Sequence, residues 1–395
     1  MFHLIDTYSY VLFNRKANRL YDDINILQWS DISRSEKKSF KFDQKTIEKV
    51  AKIDRSVYHY RQRVEDLSGR YLASRQAFEE QIKPGDIVIG EAVNSAVKLA
   101  AFDAAENVGA HYLVCNTNRI EPNRLWWTND MVSDLPKFKL SADPKIVETE
   151  DSSLNREEYL IQSQNSLMPK LSLADALKNT AFMEEPVILF YLERIQNRLR
   201  RRKTLNYKFD GINSITDPIV LFPLQYFPEV STSTWANDWT EEKVFGALEK
   251  ISSKTGFPVY LKEHPHNLGY RKTSEYEKFQ ARGFKVLSPK KIGMENIPIG
   301  SEVVTLNSTF GYEALKAGLH VTVLGNCFYS EFARDLSADQ LATTERVRRI
   351  EKFEDFLSNH SSVGCFDPAL PQMINEQNIE NVINAARNIK CEYFT

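Results

Sequence analysis

Short apolar runs alternate with longer amphipathic stretches in the first half of the chain. A Pro-Gly-Asp turn signal at residues 84–86 precedes the apolar run 87–90, which is typical of a buried strand. A helical pattern covers residues 95–107, and a second apolar run follows at residues 112–115. This part of the chain is therefore predicted to form a strand, a helix and a strand in succession.

The same alternation continues through the second half. Five apolar runs predict strands, at residues 219–224, 259–262, 284–287, 303–306 and 321–324. Helical patterns lie between them, at residues 241–254, 274–282 and 311–317. Strands that alternate with helices of this length form parallel sheets covered on both faces. The second half is thus predicted to be Rossmann-like, and the chain is assigned to the α/β class.

The length of the chain, 395 residues, indicates two domains, since a typical domain has about 150 residues. The loop-rich segment 204–217 is expected to contain the boundary, which gives an N-terminal α/β domain at residues 1–205 and a C-terminal domain at residues 206–395. The last helical pattern, at residues 378–389, can pack on either domain, and the pattern alone does not decide between them.

The composition narrows the range of partners. Fifty-one Lys and Arg residues balance 53 Asp and Glu residues, so the formal net charge is −2 and no overall attraction to nucleic acid is expected. Cys115, Cys327, Cys365 and Cys391 form no C-x-x-C pair, which argues against a disulfide framework and a structural zinc site. No signal-peptide pattern occurs, and no apolar run approaches the ~18 to 20 residues of a membrane span. These features predict a cytoplasmic protein.

The first candidate site lies where the apolar run 259–262 ends. Its last residue, Lys262, is followed directly by Glu263 and His264, and Pro265 then stops the strand. Ligands of open parallel sheets bind at the carboxyl ends of strands, and this cluster suits a phosphate. Lys262 would neutralise the phosphate, His264 would hydrogen-bond to it, and Glu263 would hold the imidazole in one tautomer. The alternative interpretation is a solvated strand end with an ordinary histidine.

A second candidate site follows the fourth strand of this half. Asn307, Ser308 and Thr309 stand between this strand and the next helix, whose first N–H groups can bind an anion. The alternative is simple capping of the helix by Ser308 or Thr309. The two strand ends, taken to be adjacent, are expected to face one shared anion. Gln225, just beyond the first strand, is expected to hydrogen-bond to a base or a sugar.

Polar residues also follow the predicted strands of the first half. Glu91 and Glu121 are candidates for a catalytic acid or base. Asn118, Arg119 and Arg124 are candidates for binding an acceptor, the two arginines as anchors for its anionic groups. The alternative for each residue is a solvated position in a loop.

Several motifs of nucleotide and hydrolase chemistry are absent from the sequence. It contains no Asp-x-Asp pair, which commonly holds a divalent metal against a nucleotide diphosphate, and no G-x-G-x-x-G or P-loop pattern. It also lacks the G-x-S-x-G elbow of serine hydrolases. The sequence therefore predicts a cleft that works without a metal ion or a cofactor.

Three segments of the second half resemble one known family. The Lys-Glu-His-Pro sequence at residues 262–265, together with residues 222–225 upstream and 307–315 downstream, resembles bacterial capsule polysaccharide biosynthesis proteins. This group contains the Kdo transferases of capsule lipid-linker assembly. The resemblance covers most of residues 84–126 and 218–330.

The resemblance implies a GT-B-like fold, in which two Rossmann-like domains face a central cleft. The C-terminal domain would hold a nucleotide-activated sugar, and the N-terminal domain would hold the acceptor. By the same resemblance His264, in a loop fixed by Pro265, contacts the donor phosphate, and Ser308 and Thr309 bind it from the helix N-terminus. Glu313, one turn further along, would lie near the donor ribose or sugar.

These features together predict a metal-independent glycosyltransferase with Glu91, Glu121 and His264 as catalytic candidates. The donor would be a nucleotide sugar, with a CMP-sugar such as CMP-Kdo favoured, and the acceptor a bacterial capsule glycan, a lipid-linked glycan or another surface glycan. Two alternatives remain open. One is a CDP-polyol phosphotransferase of the teichoic-acid type, and the other is a non-catalytic glycan-binding assembly protein.

A basic run at residues 194–203 begins with Arg194 and ends with Lys203. It is interpreted either as a solvated helix face or as a patch that attracts an anionic membrane carrying the lipid-linked acceptor. The second interpretation predicts peripheral contact with the inner face of the cell membrane.

Overall fold

The computed structural model forms two compact units. It describes residues 1–5, 17–27, 43–54, 63–118, 120–121, 124–131, 135–140, 199–200, 204, 206–211, 215–225, 227, 236, 239–264, 271–288, 292–338, 343–364 and 375–394. The first unit comprises Met1–Val187 and Asp355–Thr395, and the second comprises Ile188–Glu354. These bounds differ from the predicted division into residues 1–205 and 206–395, chiefly because the end of the chain returns to the first unit.

The described part of the chain contains short strands and longer helices. The strands are β1 (Phe2–Ile5), β2 (Ile24–Leu27), β3 (Ile87–Gly90), β4 (His111–Thr117), β5 (Arg124–Thr128), β6 (Val220–Pro223), β7 (Val259–Lys262), β8 (Lys285–Leu287), β9 (Glu302–Thr305), β10 (His320–Val323) and β11 (Ser361–Val363). The helices are α1 (Gln44–Ile53), α2 (Val64–Gln81), α3 (Ala96–Val108), α4 (Glu241–Thr255), α5 (Thr273–Ala281), α6 (Thr309–Lys316), α7 (Ser330–Ala338), α8 (Thr343–Asn359) and α9 (Glu376–Tyr393).

The first unit is built on a six-stranded sheet in the order β11-β5-β4-β3-β1-β2. The four strands from β4 to β2 are parallel to one another, whereas β5 runs antiparallel to β4 and β11 antiparallel to β5. The predicted strand, helix and strand correspond to β3, α3 and β4. The sheet is thus mixed, with an antiparallel edge that the apolar pattern did not predict.

Helix α3 forms because its ends are capped and its face is small and apolar. The Ser95 side chain accepts the Lys98 N–H at 3.4 Å, and the buried Asp54 carboxylate accepts the Ala96 N–H at 2.8 Å. Gly109 ends the helix with a φ of 76°, a left-handed conformation that favours glycine. Buried alanines at positions 100, 101, 104 and 105 let the helix pack closely against its neighbours.

The last helix, α9, packs on the first sheet. Ile379, Val382 and Ile383 are fully buried in one cluster with Phe2 and Leu4 of β1. Burial of this apolar stripe removes several large side chains from water, and each contributes roughly 1.5 to 3 kcal/mol. The sequence left the position of this helix open, and the structure assigns it to the first unit.

The second unit is built on a five-stranded sheet in the order β10-β9-β6-β7-β8, and every strand pair is parallel. All five predicted apolar runs form its strands, since strands covered on both faces are apolar almost throughout. Counted along the unit, the order is fifth, fourth, first, second and third. This is the Rossmann order, and its direction reverses between β6 and β9. The α/β class with Rossmann-like parallel strands is confirmed.

Among the described residues, no helix combines the length and the apolar character that a membrane span requires. The basic run at residues 194–203 falls almost entirely outside the described residues. Its two interpretations stay predictions.

Candidate functional site

Three strand ends of the second unit carry the candidate residues of one site. Because β9, β6 and β7 are neighbours and parallel, Asn307, Gln225 and His264 leave the same carboxyl edge of the sheet. The prediction that the strands before His264 and Ser308 are adjacent was wrong, since β6 lies between them. The intervening strand supplies Gln225, so the site spans three strand ends and includes the point where the strand order reverses.

Gln225 connects two of these strand ends directly. Its side-chain Nε2 donates to Asn307 Oδ1 at 2.5 Å, which bridges the point between β6 and β9 where ligands of such sheets bind. Its backbone carbonyl accepts a hydrogen bond from the Arg271 guanidinium. The Oε1 atom has no hydrogen-bond partner in the described structure, so Gln225 retains an acceptor.

Lys262 extends from the end of β7 toward helix α6. The residue is 7% exposed, and its ammonium lies 3.4 Å from the Glu263 carbonyl and 5.8 Å from the centre of the Phe310 ring. Burial lowers the pKa of Lys262, and attraction to Glu263 and Glu313 acts in the opposite direction. A buried lysine therefore lies beside Phe310, in the first turn of α6.

Glu263 is fully buried, and its carboxylate contacts three neighbouring groups. Its Oε1 accepts the backbone N–H of His264 at 2.8 Å, and its Oε2 accepts the Tyr276 hydroxyl at 2.8 Å. The same Oε2 lies 3.2 Å from Arg271 Nε. The three groups are a backbone N–H, a hydroxyl and a guanidinium, and the contact of Glu263 with the His264 imidazole stays a prediction.

Burial raises the pKa of Glu263, whereas Arg271 and the hydrogen bonds from Tyr276 and His264 favour the carboxylate and act in the opposite direction. Glu263 therefore holds the backbone of His264 through this hydrogen bond. Because Glu263 is fully buried, it has no exposed surface with which to contact a sugar donor. His264 itself is exposed. Pro265, which was predicted to fix its loop, lies outside the described residues.

The N-terminus of α6 is capped by Ser308. Its Oγ accepts the Phe310 N–H at 3.3 Å, and its own N–H donates to Thr305 Oγ1 at 3.1 Å. The capping interpretation is therefore confirmed for Ser308, and capping leaves the positive end of the helix dipole at the carboxyl edge. Thr309 is the first helical residue, and Asn307, Thr309 and Glu313 are all half-buried.

Tyr329 holds this helix end in place. Its hydroxyl donates to the Ser308 carbonyl at 2.5 Å, and its side chain is fully buried. A Cβ at position Gly311 would lie only 2.3 Å from the Tyr329 hydroxyl oxygen and 2.7 Å from Thr305 Cγ2. Glycine is therefore required at position 311 for close packing.

In the first unit, Glu91 lies at the carboxyl end of β3 and forms an ion pair. Its Oε2 accepts from Lys98 Nζ at 2.6 Å, and the same ammonium donates to Asn94 Oδ1 at 3.0 Å. Lys98 is buried and Glu91 is 34% exposed in its side chain. The carboxylate is therefore accessible and accompanied by one fixed cation.

Two candidate acceptor residues, Asn118 and Arg119, stand between β4 and β5 in the sequence, and the third, Arg124, is the first residue of β5. The two strands form an antiparallel pair. Asn118 Oδ1 accepts the N–H groups of Ile120 and Glu121 at 2.7 and 3.0 Å. This pattern closes a tight turn. Asn118 is thus committed to its own loop, and Arg119 lies outside the described residues.

Arg124 holds the edge of the first sheet together. Its Nε donates to Ser361 Oγ at 2.6 Å, and its Nη2 donates to the carbonyls of Ser358 and Ser361 at 3.0 Å. Its Nε also lies 3.4 Å from Glu121 Oε2. The guanidinium therefore joins β5 to the segment that leads into β11, and its predicted contact with an acceptor stays a prediction.

Two residues of the network around Glu263 were not singled out in the sequence. Arg271 and Tyr276 are buried partners of this carboxylate, but they stand 8 and 13 positions further along, in a loop and in a helix. No local spacing links them to the strand end. Only the fold brings them together.

Among the described residues, no group of three His, Cys, Asp or Glu side chains is placed to share a metal ion. The prediction of a metal-independent reaction stays a prediction.

The second unit is an α/β domain of Rossmann order, with polar and cationic side chains at the switch point of its sheet. The sequence model of the family described as "Capsule polysaccharide biosynthesis protein" matches residues 167–365, just over half of the chain. The chain therefore belongs to this family.

Comparisons with individual proteins gave weaker similarities. No curated protein sequence matches the chain. One solved structure, Thermosulfurimonas dismutans KpsC, beta Kdo 2,7 transferase, is 13% identical with a TM-score of 0.36, covering 98% of this chain and 99% of that chain. Another solved structure, Thermosulfurimonas dismutans KpsC, beta Kdo 2,4 transferase, is 18% identical with a TM-score of 0.37. This match covers 76% of this chain and 86% of that chain. TM-scores in this range do not establish a shared fold.

Proposed function

We propose that this chain is a glycosyltransferase of capsule biosynthesis that transfers a sugar from a nucleotide-activated donor to a surface glycan, without a metal ion. A CMP-sugar such as CMP-Kdo is the favoured donor, and a capsule glycan or its lipid-linked form is the acceptor. Membership of the capsule polysaccharide family supports the pathway. The chemistry of the second unit supports the donor site.

One observation carries the proposal. Gln225, Asn307, Lys262 and His264 leave a common edge of the sheet, and the 2.5 Å hydrogen bond between Gln225 and Asn307 lies at the switch point. Lys262 extends from this edge toward the first turn of α6, beside its ring contact, Phe310. A cation, a histidine and a helix N-terminus are the groups that bind phosphate in proteins without help from a metal.

In the proposed reaction the bond between the anomeric carbon and the phosphate oxygen breaks, and its electron pair stays on the nucleotide. Lys262 and His264 would stabilise the charge that develops on the phosphate, together with the N-terminus of α6 and its residues Ser308 and Thr309. Gln225 Oε1 would accept a hydrogen bond from an N–H or O–H group of the nucleotide base or the sugar. These contacts hold the leaving group while it departs.

The acceptor hydroxyl forms the new bond to the anomeric carbon and loses its proton to a base. We assign this role to Glu91, whose carboxylate is accessible at the carboxyl end of β3. Glu121 is the second candidate, but its Oε2, which lies 3.4 Å from Arg124, is buried. Glu91→Gln should therefore reduce transfer more than Glu121→Gln does, while nucleotide affinity stays unchanged in both.

The donor class is tested first by nucleotide binding. Thermal unfolding of the full chain is measured with free CMP, UMP, UDP and GDP, and a ligand that binds the folded state raises the midpoint. We expect CMP to give the largest increase. Absence of any increase, together with binding of capsular glycan, would support the non-catalytic assembly protein instead.

The reaction is tested with CMP-sugars, UDP-sugars and CDP-glycerol in the presence of a lipid-linked capsular glycan. Release of CMP with addition of a sugar to the acceptor supports the proposal, and activity in the presence of EDTA tests metal independence. Transfer of glycerol phosphate from CDP-glycerol would overturn the proposal in favour of a polyol phosphotransferase.

The variant His264→Ala should abolish transfer and leave the melting temperature in the absence of ligand unchanged. His320→Ala is the matched control. His320 is also exposed, but it begins β10 and so lies at the amino ends of the strands, away from the carboxyl ends that carry His264. Transfer by His264→Ala at the wild-type rate would remove the central assignment.

A further inference from the structure

Arg271 is a buried cation that contacts two neighbouring strand ends of the second unit. Its side chain is 4% exposed, and its Nε lies 3.2 Å from Glu263 Oε2. Its Nη1 donates to Glu241 Oε1 at 3.1 Å, and its Nη2 donates to the backbone carbonyl of Gln225. One guanidinium is therefore bound to the residue after β7 and to the second residue after β6.

These contacts continue into the candidate donor site. Glu263, held by Arg271, accepts the backbone N–H of His264 at 2.8 Å. Gln225, held by Arg271 through its carbonyl, donates from its side chain to Asn307 at the end of β9. Three strand ends are thus joined in one series of contacts, with Arg271 at its centre.

We propose that Arg271 is a positioning residue of the transferase: it holds Gln225 and His264 in the arrangement that binds the donor, and it touches no substrate itself. This inference rests on the proposed function, because the donor is the ligand of Gln225 and His264. Arginine suits the task, since its rigid fork of donors satisfies several acceptors at once. A lysine ammonium is a point charge and cannot reproduce that geometry.

A purely stabilising role does not account for these contacts equally well. Taking Arg271 and Glu263 out of water costs free energy that offsets much of their attraction, so a buried pair is weak evidence for stability. Apolar side chains of the same volume would fill the space. They would not orient a backbone carbonyl at one strand end and a backbone N–H at the next.

The test compares Arg271→Lys with the matched control Arg282→Lys. Arg282 also contacts two glutamates, Glu242 at 2.7 Å and Glu249 at 2.8 Å, but it does so on α4, away from the strand ends. We expect Arg271→Lys to weaken CMP binding about ten-fold and transfer about a hundred-fold, because displaced groups bind and react poorly. Arg282→Lys should change neither by more than about two-fold, as is usual for exposed pairs.

A double-mutant cycle separates positioning from a general effect on the fold. In the His264→Ala background, Arg271→Lys should weaken CMP binding less than in the wild-type protein, because the part of its effect that acts through His264 is already lost. Independent, additive effects are the result expected of a merely structural residue. That result would overturn the proposal.

A milder variant covers the case in which Arg271→Lys does not fold. Tyr276→Phe removes one hydrogen bond from Glu263 without changing any charge, and we expect it to weaken CMP binding about three-fold. If the wild-type chain binds CMP and the folded variants bind it within about two-fold of that affinity, positioning by Arg271 is refuted and the proposed function stands. If the wild-type chain binds no nucleotide, both proposals fail.

Discussion

The two units use polar side chains at their strand ends in different ways. In the second unit Arg271 contacts both Gln225 and Glu263, which follow neighbouring strands, and Gln225 also donates to Asn307. In the first unit Asn118 and Arg124 are bound to their own turn and to the neighbouring strand of the sheet edge. Polar and charged side chains therefore join neighbouring strand ends in the second unit, and hold a turn and a sheet edge in the first.

Strand direction accounts for the difference. All strands of the second sheet are parallel, so each strand end opens onto a crossover and its side chains can face a ligand. In the first sheet the chain turns after β4 and returns antiparallel as β5, with Thr117 opposite Leu125. A tight connection of this kind must satisfy its own backbone groups, and Asn118 and Arg124 supply the hydrogen bonds.

The largest expected difference concerns two buried lysines, each beside a glutamate at a carboxyl edge. Lys262→Met should weaken CMP binding by about 10- to 100-fold, because a charge-assisted contact to phosphate contributes about 1.5 to 3 kcal/mol. Lys98→Met should leave CMP binding unchanged, since Lys98 pairs with Glu91 in the other unit. Isothermal titration calorimetry on both variants measures the difference.

If Lys98→Met loses CMP affinity and Lys262→Met retains it, the donor site lies in the first unit. The melting temperature of each variant serves as the control, because methionine keeps the volume of the apolar stem in both positions.

The second prediction concerns Arg124. Arg124→Met removes three hydrogen bonds to Ser358 and Ser361, and we expect it to lower the free energy of unfolding by about 2 to 3 kcal/mol. Nucleotide affinity should not change, because these contacts stabilise the edge of the first sheet. Urea denaturation measures the change in stability, and CMP titration measures nucleotide affinity. If Arg124→Met has normal stability and a raised KM for the acceptor, Arg124 binds the acceptor instead of stabilising the sheet edge.

The strands of the second unit could be predicted from sequence because burial on both faces leaves an almost continuous apolar run. The edge strand β11 could not, since its Ser361 and Ser362 have no apolar pattern. It is held by long-range contacts, including a hydrogen bond at 2.8 Å from Trp127 Nε1 to Ser362 Oγ. Such partners, more than 200 positions apart, leave no periodic signal.

The candidate site shows the same limit. That Lys262, His264 and Ser308 share one edge follows from local sequence, because parallel strands end on the same side. That β6 separates their strands does not, because strand order is set by the crossovers and by packing. Arg271 was missed for the related reason that its acceptors belong to two different strand ends, which only the folded sheet brings within reach.

The smallest expected effect is a pH dependence of stability centred on Asp86 in the first unit. Burial raises the pKa of this carboxyl, but hydrogen bonds from His3, the amino group of Met1 and the Lys83 N–H outweigh it, and the pKa is lowered to about 2. The native state therefore binds the proton less readily than the unfolded chain does. The stabilisation is fully present above about pH 4 and is lost as the pH falls toward 2.

Asp86→Asn should consequently cost about 1 to 2 kcal/mol of unfolding free energy at pH 7 and progressively less between pH 4 and pH 2. Urea midpoints of the wild-type chain and the variant, measured across this range, should converge at the acid end. A difference that stays constant with pH would show that Asp86 acts by shape and not by charge. Because Asp86 joins β1 to β3 at the amino ends of the strands, CMP affinity should be the same in both proteins.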